Sequence, residues 1–222
     1  MSYYHTQEKH SQLINKFNNS ENIVTNFSQA FQDMFVLSML DGKTNGTFLD
    51  IGCHDTSFHN NTYLLEKDYN WKGFGIDLNY GILNKYKTER KAEAVCSDAV
   101  TYDYSDILNR LGKIDYLSLD IDPPHQSLRA LHKLFSYGVQ FDVITFEHDA
   151  YVAGDEVRTA SRKFLLDQGY NLVVPNACTH VGQYYEDWWC HSSVDLKNKF
   201  TLCKNLEKNM PLEFFYAKTF SL

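Results

Sequence analysis

Two short segments hold most of the residues that could do chemistry: LDIDPPHQ (119–126) and FEHDAY (146–151). The first carries Asp120 and Asp122, then two prolines that stiffen the turn, then His125 at D-x-x-H spacing. The second carries Glu147, His148 and Asp149 in a row. Carboxylates and imidazoles at this density can take a proton from a weakly acidic hydroxyl, hold a divalent cation that acidifies it, or do both. On an extended strand Asp120 and Asp122 share one face, and so do Glu147 and Asp149. Adjacent strands lie about 4.8 Å apart, close enough for the two sets to meet. Asp120, Asp122 and Glu147 are then the expected metal ligands. Oxygen donors favour magnesium, manganese or calcium, and a histidine tilts the choice towards manganese or another transition metal. His125 is the first choice of general base and His148 the second, with Asp122 helping to hold the acceptor. The competing reading is that these carboxylates cap the following helices and accept backbone N–H bonds.

The elements that must position these groups are legible as a repeating pattern. Short apolar runs recur at TFLDIG (47–52), GFGIDLN (73–79), EAVCSDA (93–99), YLSLDID (116–122) and VITFEH (143–148), each closing on a polar group. Helix-like segments separate them near 61–68, 80–89, 104–111 and 126–137, with another at 155–168. Strand, crossover, strand at this spacing predicts a parallel α/β sheet. Ligands bind beyond the carboxyl ends of such strands. Asp50, Asp77, Asp98, Asp120, Asp122, Glu147 and His148 would therefore share one rim. Ahead of the sheet, 28–40 reads as an amphipathic helix and 1–27 as a polar lead-in. Behind it, LVVP (172–175) and FFYAKTF (214–220) are expected as the last strands, an antiparallel pair, with 178–210 between them as a lid.

The loop after the first strand, GCHDTSFHNN (52–61), has Gly52 for a tight turn but lacks the further glycines of a dinucleotide fingerprint and the Gly-Lys-Ser/Thr of a P-loop. Close approach of a diphosphate is therefore disfavoured. Asp77 at the second strand end can accept two ribose hydroxyls, and Asp98 at the third can accept an exocyclic amine. An adenosine-bearing ligand without a diphosphate fits all three, and S-adenosylmethionine (SAM) is the leading candidate.

Several blocks together resemble the FkbM-type methyltransferases: SQAFQD (28–33), GTFLDIGCHDTSFHNNTYLLEKDYNWKGFGIDLN (46–79), DYLSLDID (115–122) and EDWW (186–189). The resemblance implies a Rossmann-like, seven-stranded, mostly parallel sheet with helices on both faces. It also implies SAM-dependent O-methylation of a sugar or glycan hydroxyl. By the same resemblance Asp50, Gly52 and Asp55 contact the methionine part of SAM, Asn61 belongs to the next block, and Asp77 binds the ribose. Gln29, Gln32 and Asp33 match the N-terminal motif and would cover the cofactor. His54 and Thr56 stand where the family commonly has Asn and Gly, and Asp122-Pro123 stands where it tends to have an acidic-Gly pair, so Pro-Pro is a departure. The D-x-x-H element is similar to one in metal-dependent macrocin-type sugar O-methyltransferases.

Composition sets the outer bounds. In 222 residues, 28 Asp+Glu against 21 Lys+Arg give a net charge of -7, which repels a phosphate backbone and argues against a nucleic-acid partner. No apolar run approaches the roughly 18 residues that a spanning helix needs, and the N-terminus lacks a signal-peptide pattern. The five cysteines are widely spaced with no CxxC pair, as expected for reduced thiols in a cytoplasmic protein. The alternative to an enzyme is a non-catalytic, SAM-fold binding subunit for a glycan or partner protein. The adjacent Trp188 and Trp189 serve either to stack on a sugar ring or to anchor the lid in the core.

Overall fold

The computed structural model describes residues 17–23, 25–179 and 182–196. Seven strands form one sheet: β1 (Thr47–Ile51), β2 (Lys72–Asp77), β3 (Glu93–Cys96), β4 (Ile114–Leu119), β5 (Phe141–Glu147), β6 (Tyr170–Ala177) and β7 (Glu186–His191). Their order is β3-β2-β1-β4-β5-β7-β6. The pairs among β1 to β5 are parallel, and β7 runs antiparallel between β5 and β6. Helix α1 (Gln32–Met39) precedes β1, and the strands are connected through α2 (Tyr63–Tyr69), α3 (Tyr80–Glu89), α4 (Ser105–Leu111), α5 (Pro124–Phe135), α6 (Ala150–Ala153) and α7 (Glu156–Asp167).

Burial on both faces explains why the strands read as near-continuous apolar runs. β4 is buried along its whole length. On one face α1, α2 and α3 pack Phe35, Leu65 and Tyr86 against Phe48, Tyr116, Val143 and Trp188. On the other, α4, α5 and α7 pack Ile107, Leu131 and Leu165 against Leu49, Leu117, Ile144 and Trp189. Strand alternation sends Trp188 and Trp189 to opposite cores, and neither has any exposed surface. They are core residues, not sugar platforms.

Four expectations change. The span expected to be a lid, 178–210, contains β7, a central strand. Its EDWWCH sequence escapes the apolar-run signal because buried Asp187 is neutralised from the next layer. Arg162 donates Nε to its Oδ2 at 2.7 Å and Nη2 to its Oδ1 at 2.8 Å, and Asn176 N donates to Oδ1 at 2.8 Å. Among the described residues the last two strands are β6 and β7; the strand expected at 214–220 and the remainder of the lid span beyond 196 lie outside the described residues. The lead-in is docked from residue 17 on: Phe17 and Ile23 join the core over α1, which is why all eight α1 residues are buried. That helix starts at Gln32, later than the pattern predicts. Asp33 folds the chain back before it, accepting from Phe27 N (2.8 Å), Ser28 N (3.2 Å) and Ser28 Oγ (2.6 Å).

Candidate active site

A cavity of about 400 Å³ opens at the carboxyl ends of β1 to β4. Its wall includes Gly52, His54, Asp77, Asp98, Asp120, Asp122 and Gln126. Gly52 is indispensable to that shape. It sits at φ 83°, and a Cβ there would come within 1.6 Å of the Asp120 carbonyl oxygen. The close approach is fixed on both sides, because Gly52 N donates to Ile76 O (2.8 Å) and Asp120 N to Ile51 O (2.9 Å).

Asp77 leaves β2 half-buried at the cavity wall. Its Oδ2 accepts from His54 N at 3.0 Å and its Oδ1 from Asn79 N at 2.8 Å, so the carboxylate is pinned with lone pairs left for a ligand. Asp98 is exposed after β3, and Val100 N holds its Oδ1 at 2.8 Å. The exposed Leu78 adds an apolar wall between these two acids. Gly52, Asp77 and Asp98 thus meet at one cavity, as a nucleoside site requires.

The other expected cofactor residues lie elsewhere. Asp50 is buried on the α1 side of β1, where it accepts from Thr62 Oγ1 (2.9 Å) and Asn60 Nδ2 (3.3 Å). Burial pushes its carboxyl up, against those hydrogen bonds and the Arg90 charge. Asp55 is spent inside the loop, accepting from Ser57 N and Phe58 N (3.1 Å each) and pairing with Lys85 at 3.2 Å. Partial burial works against ionisation there, yet those partners hold its carboxyl below the usual range. Asn61 donates to Ser118 Oγ at 3.0 Å. Gln32 donates to Glu186 Oε2 at 2.9 Å, and Gln29 faces solvent. None of these five lines the cavity, and all but Gln29 are tied into the scaffold by hydrogen bonds.

On the other flank Asp120, Glu147 and Asp149 crowd together, with Asp122 beside them. Asp120 keeps solvent contact through the cavity although protein closes around it. Burial pushes Glu147 far above the usual carboxylate range, and a hydrogen bond with Asp120 and that acid's charge push it further. Burial and the neighbouring acid charges push the Asp120 carboxyl up as well, against its hydrogen bond with Glu147. Glu186 stands opposite Glu147 in the β5–β7 register. Burial pushes it up to about 8, against hydrogen bonds from Trp188 and Gln32. No group of three or more His, Cys, Asp or Glu suited to a metal occurs among the described residues. The expected ligands Asp120, Asp122 and Glu147 do not make up such a group.

The histidines part ways too. His148 is wholly buried, with Nε2 3.5 Å from Asp187 Oδ1 and Nδ1 accepting from Ala150 N at 3.2 Å. Despite burial, which opposes it, Arg162 and His148 hold Asp187 down to about 2. His148 therefore lies in the core and does not line the cavity. His125 is exposed on the first turn of α5, and its neighbour Gln126 lines the cavity instead. His54 does line it; its place beside the cofactor loop was the available signal. Gln126 and Ser97 carried no signal that the sequence reading used.

No family model matches the sequence, and no curated protein does. Among solved structures, a Clostridium thermocellum protein described as an rRNA methylase superimposes with a TM-score of 0.51 at 12% identity, over 76% of this chain and 97% of that one. The N-methyltransferase NodS from Bradyrhizobium japonicum WM9, in complex with S-adenosyl-L-homocysteine (SAH), gives 0.48 at 13% identity, over 84% and 98%. An rRNA methylase of Streptococcus thermophilus gives 0.48 at 10%, over 72% and 94%. At such identities the likeness is one of architecture. The chain has the Rossmann-like fold of SAM-dependent methyltransferases. No helix among the described residues is long and apolar enough to cross a membrane.

Proposed function

We propose that the protein is a SAM-dependent methyltransferase that acts on a hydroxyl of a sugar or glycan. The observation that carries the first half is the cavity over β1 to β4, where Gly52, Asp77 and Asp98 meet. Asp77 would hold the ribose hydroxyls, Asp98 the adenine amine, and Leu78 an apolar face of the base. SAM supplies a methyl group already activated for displacement. What remains for the chain is to align an acceptor and take its proton.

That second task falls to the acid flank. Asp120 and Asp122 line the cavity beside the proposed nucleoside site, and a carboxylate there can accept an acceptor hydroxyl's hydrogen bond and then its proton. His125, exposed on the first turn of α5, is the alternative base. The sugar acceptor is supported by the resemblance of SQAFQD, FLDIGCHD and EDWW to FkbM-type enzymes. The net charge of -7 disfavours an RNA acceptor.

Calorimetric titration with SAH tests the cofactor half: a saturable isotherm supports it, and no heat at millimolar SAH would sink it. A panel of small glycosides with labelled SAM, with and without EDTA, tests the acceptor half. Label on a glycoside that persists in EDTA is expected. Label on RNA alone would replace the sugar reading.

A further inference from the structure

We propose that Arg90 is a positioning residue for cofactor binding: its buried guanidinium holds the β1–α2 loop in its binding shape, the part that loop glycines play in dinucleotide and P-loop sites. The inference rests on reading the cavity as a SAM site. The loop after Gly52 is built from residues with side chains, and two of them, His54 (φ 45°) and His59 (φ 53°), occupy the left-handed region. Such a backbone persists only where its surroundings over-determine it.

Arg90 supplies that determination from outside the loop. It follows α3, and its side chain has no exposed surface. Nη1 donates to Thr56 O (3.0 Å) and Asn60 Oδ1 (3.2 Å), and Nη2 to Thr62 Oγ1 (3.1 Å). Nε donates to Glu66 Oε1 at 3.0 Å, which balances the charge. The guanidinium carbon lies 4.9 Å from the Tyr86 ring centroid and 5.4 Å from that of Tyr63.

Asn60 carries the restraint into the cavity-bearing half of the loop. Its Nδ2 donates to Cys53 O (3.2 Å) and Asp55 O (2.8 Å), the residues on either side of His54. His54 N in turn reaches Asp77. One rigid fork thus fixes both the loop backbone and the carboxylate expected to meet the ribose. A lysine could reach Glu66 but lacks the planar fork needed to bond Thr56, Asn60 and Thr62 together.

The test is SAH binding by wild type and R90K, with circular dichroism to show that each is folded. The wild-type isotherm comes first, since its absence overturns the cofactor reading itself and the positioning role with it. Given wild-type binding, R90K is expected to bind SAH at least about tenfold more weakly. With an acceptor identified, its KM for SAM should rise while kcat is kept. A folded R90K that binds within about twofold of wild type overturns the proposal. Should R90K fail to fold, hydrogen exchange on the wild type decides. Amides of residues 53–62 protected before SAH is added support it, and amides that gain protection only with SAH overturn it.

Discussion

The two flanks of the cavity treat buried acids in opposite ways. On the loop flank every acid has been matched with donors: Asp50 with Thr62 and Asn60, Asp55 with backbone N–H groups, Glu66 with Arg90, Lys91 N and Ala92 N. On the rim flank Asp120, Glu147, Asp149 and Glu186 face one another, and no lysine or arginine among the described residues forms an ion pair with any of them. A fully satisfied network fixes one geometry. A cluster of like charges instead retains protons, and its hydrogen bonds rearrange when one is lost. The first is what a cofactor loop needs, and the second suits a site that must accept a proton.

The comparison breaks most decisively at Arg90. Arg90→Met keeps the apolar stem but leaves the Glu66 carboxylate, 5% exposed, without its cation. Breaking a buried pair on one side costs about 3–5 kcal/mol, to be read as a shift in the urea midpoint at constant slope. A loss below about 1 kcal/mol would mean that the loop flank is not the finished scaffold described here. Asp77→Asn probes the same flank through its ligand. It keeps the shape of the group but halves its acceptors and removes its charge. Hydrogen bonds to a charged partner contribute about 1.5–3 kcal/mol, so SAH affinity should fall about 10- to 100-fold by calorimetry. Unchanged affinity would place the ribose elsewhere.

The rim flank should reveal itself through pH. Glu186 is pushed from 4.5 up to about 8 by burial, with the Asp120 charge adding to it and hydrogen bonds from Trp188, Gln32 and Thr145 opposing. The native state therefore keeps a proton that the unfolded chain has already released. The contribution to stability is fully present below the ordinary glutamate pKa and is lost as pH rises through about 8. One proton gives a slope of up to about 1.4 kcal/mol per pH unit across that window. Chemical unfolding of wild type and Glu186→Gln between pH 5 and 8 measures it. The variant should show the flatter profile, and parallel profiles would remove Glu186 from the cluster.

Much of this was legible in the sequence, and the exceptions share a cause. β1 to β5 were visible because strands buried on both faces leave unbroken apolar runs. Asp77 and Asp98 were visible because a polar residue at the end of a parallel strand has only the rim to point to, and Gly52 because a tight turn there calls for glycine. Asp50 was misplaced because its type was read without its face: it belongs to the strand itself and points under the α1 layer. β7 was hidden because Asp187 breaks the apolar run, and its neutralising partner Arg162 lies 25 residues away in sequence. Arg90 was hidden for the same reason, since its acceptors come from the loop and the start of α2. Residue types can be read locally, whereas matched polar networks assemble only in three dimensions.

The smallest expected effect is also the sharpest test of the contrast. Burial, with Asp120 adding to it, pushes the Glu147 carboxyl far above the usual carboxylate range, which predicts a neutral acid at pH 7. Gln is close to a neutral Glu in shape and can donate to Asp120 as the protonated acid does. Glu147→Gln should therefore change stability at pH 7 by less than about 1 kcal/mol, within the range of a single neutral hydrogen bond. The same kind of charge-removing change on the loop flank, Glu66→Gln, leaves the buried Arg90 cation unpaired and should cost about 3–5 kcal/mol. Urea unfolding of the two variants side by side isolates the difference, because both remove one formal carboxylate from a buried setting. Equal losses would show that Glu147 is ionised in the native state, and the rim would then be an anionic site in need of a cation after all.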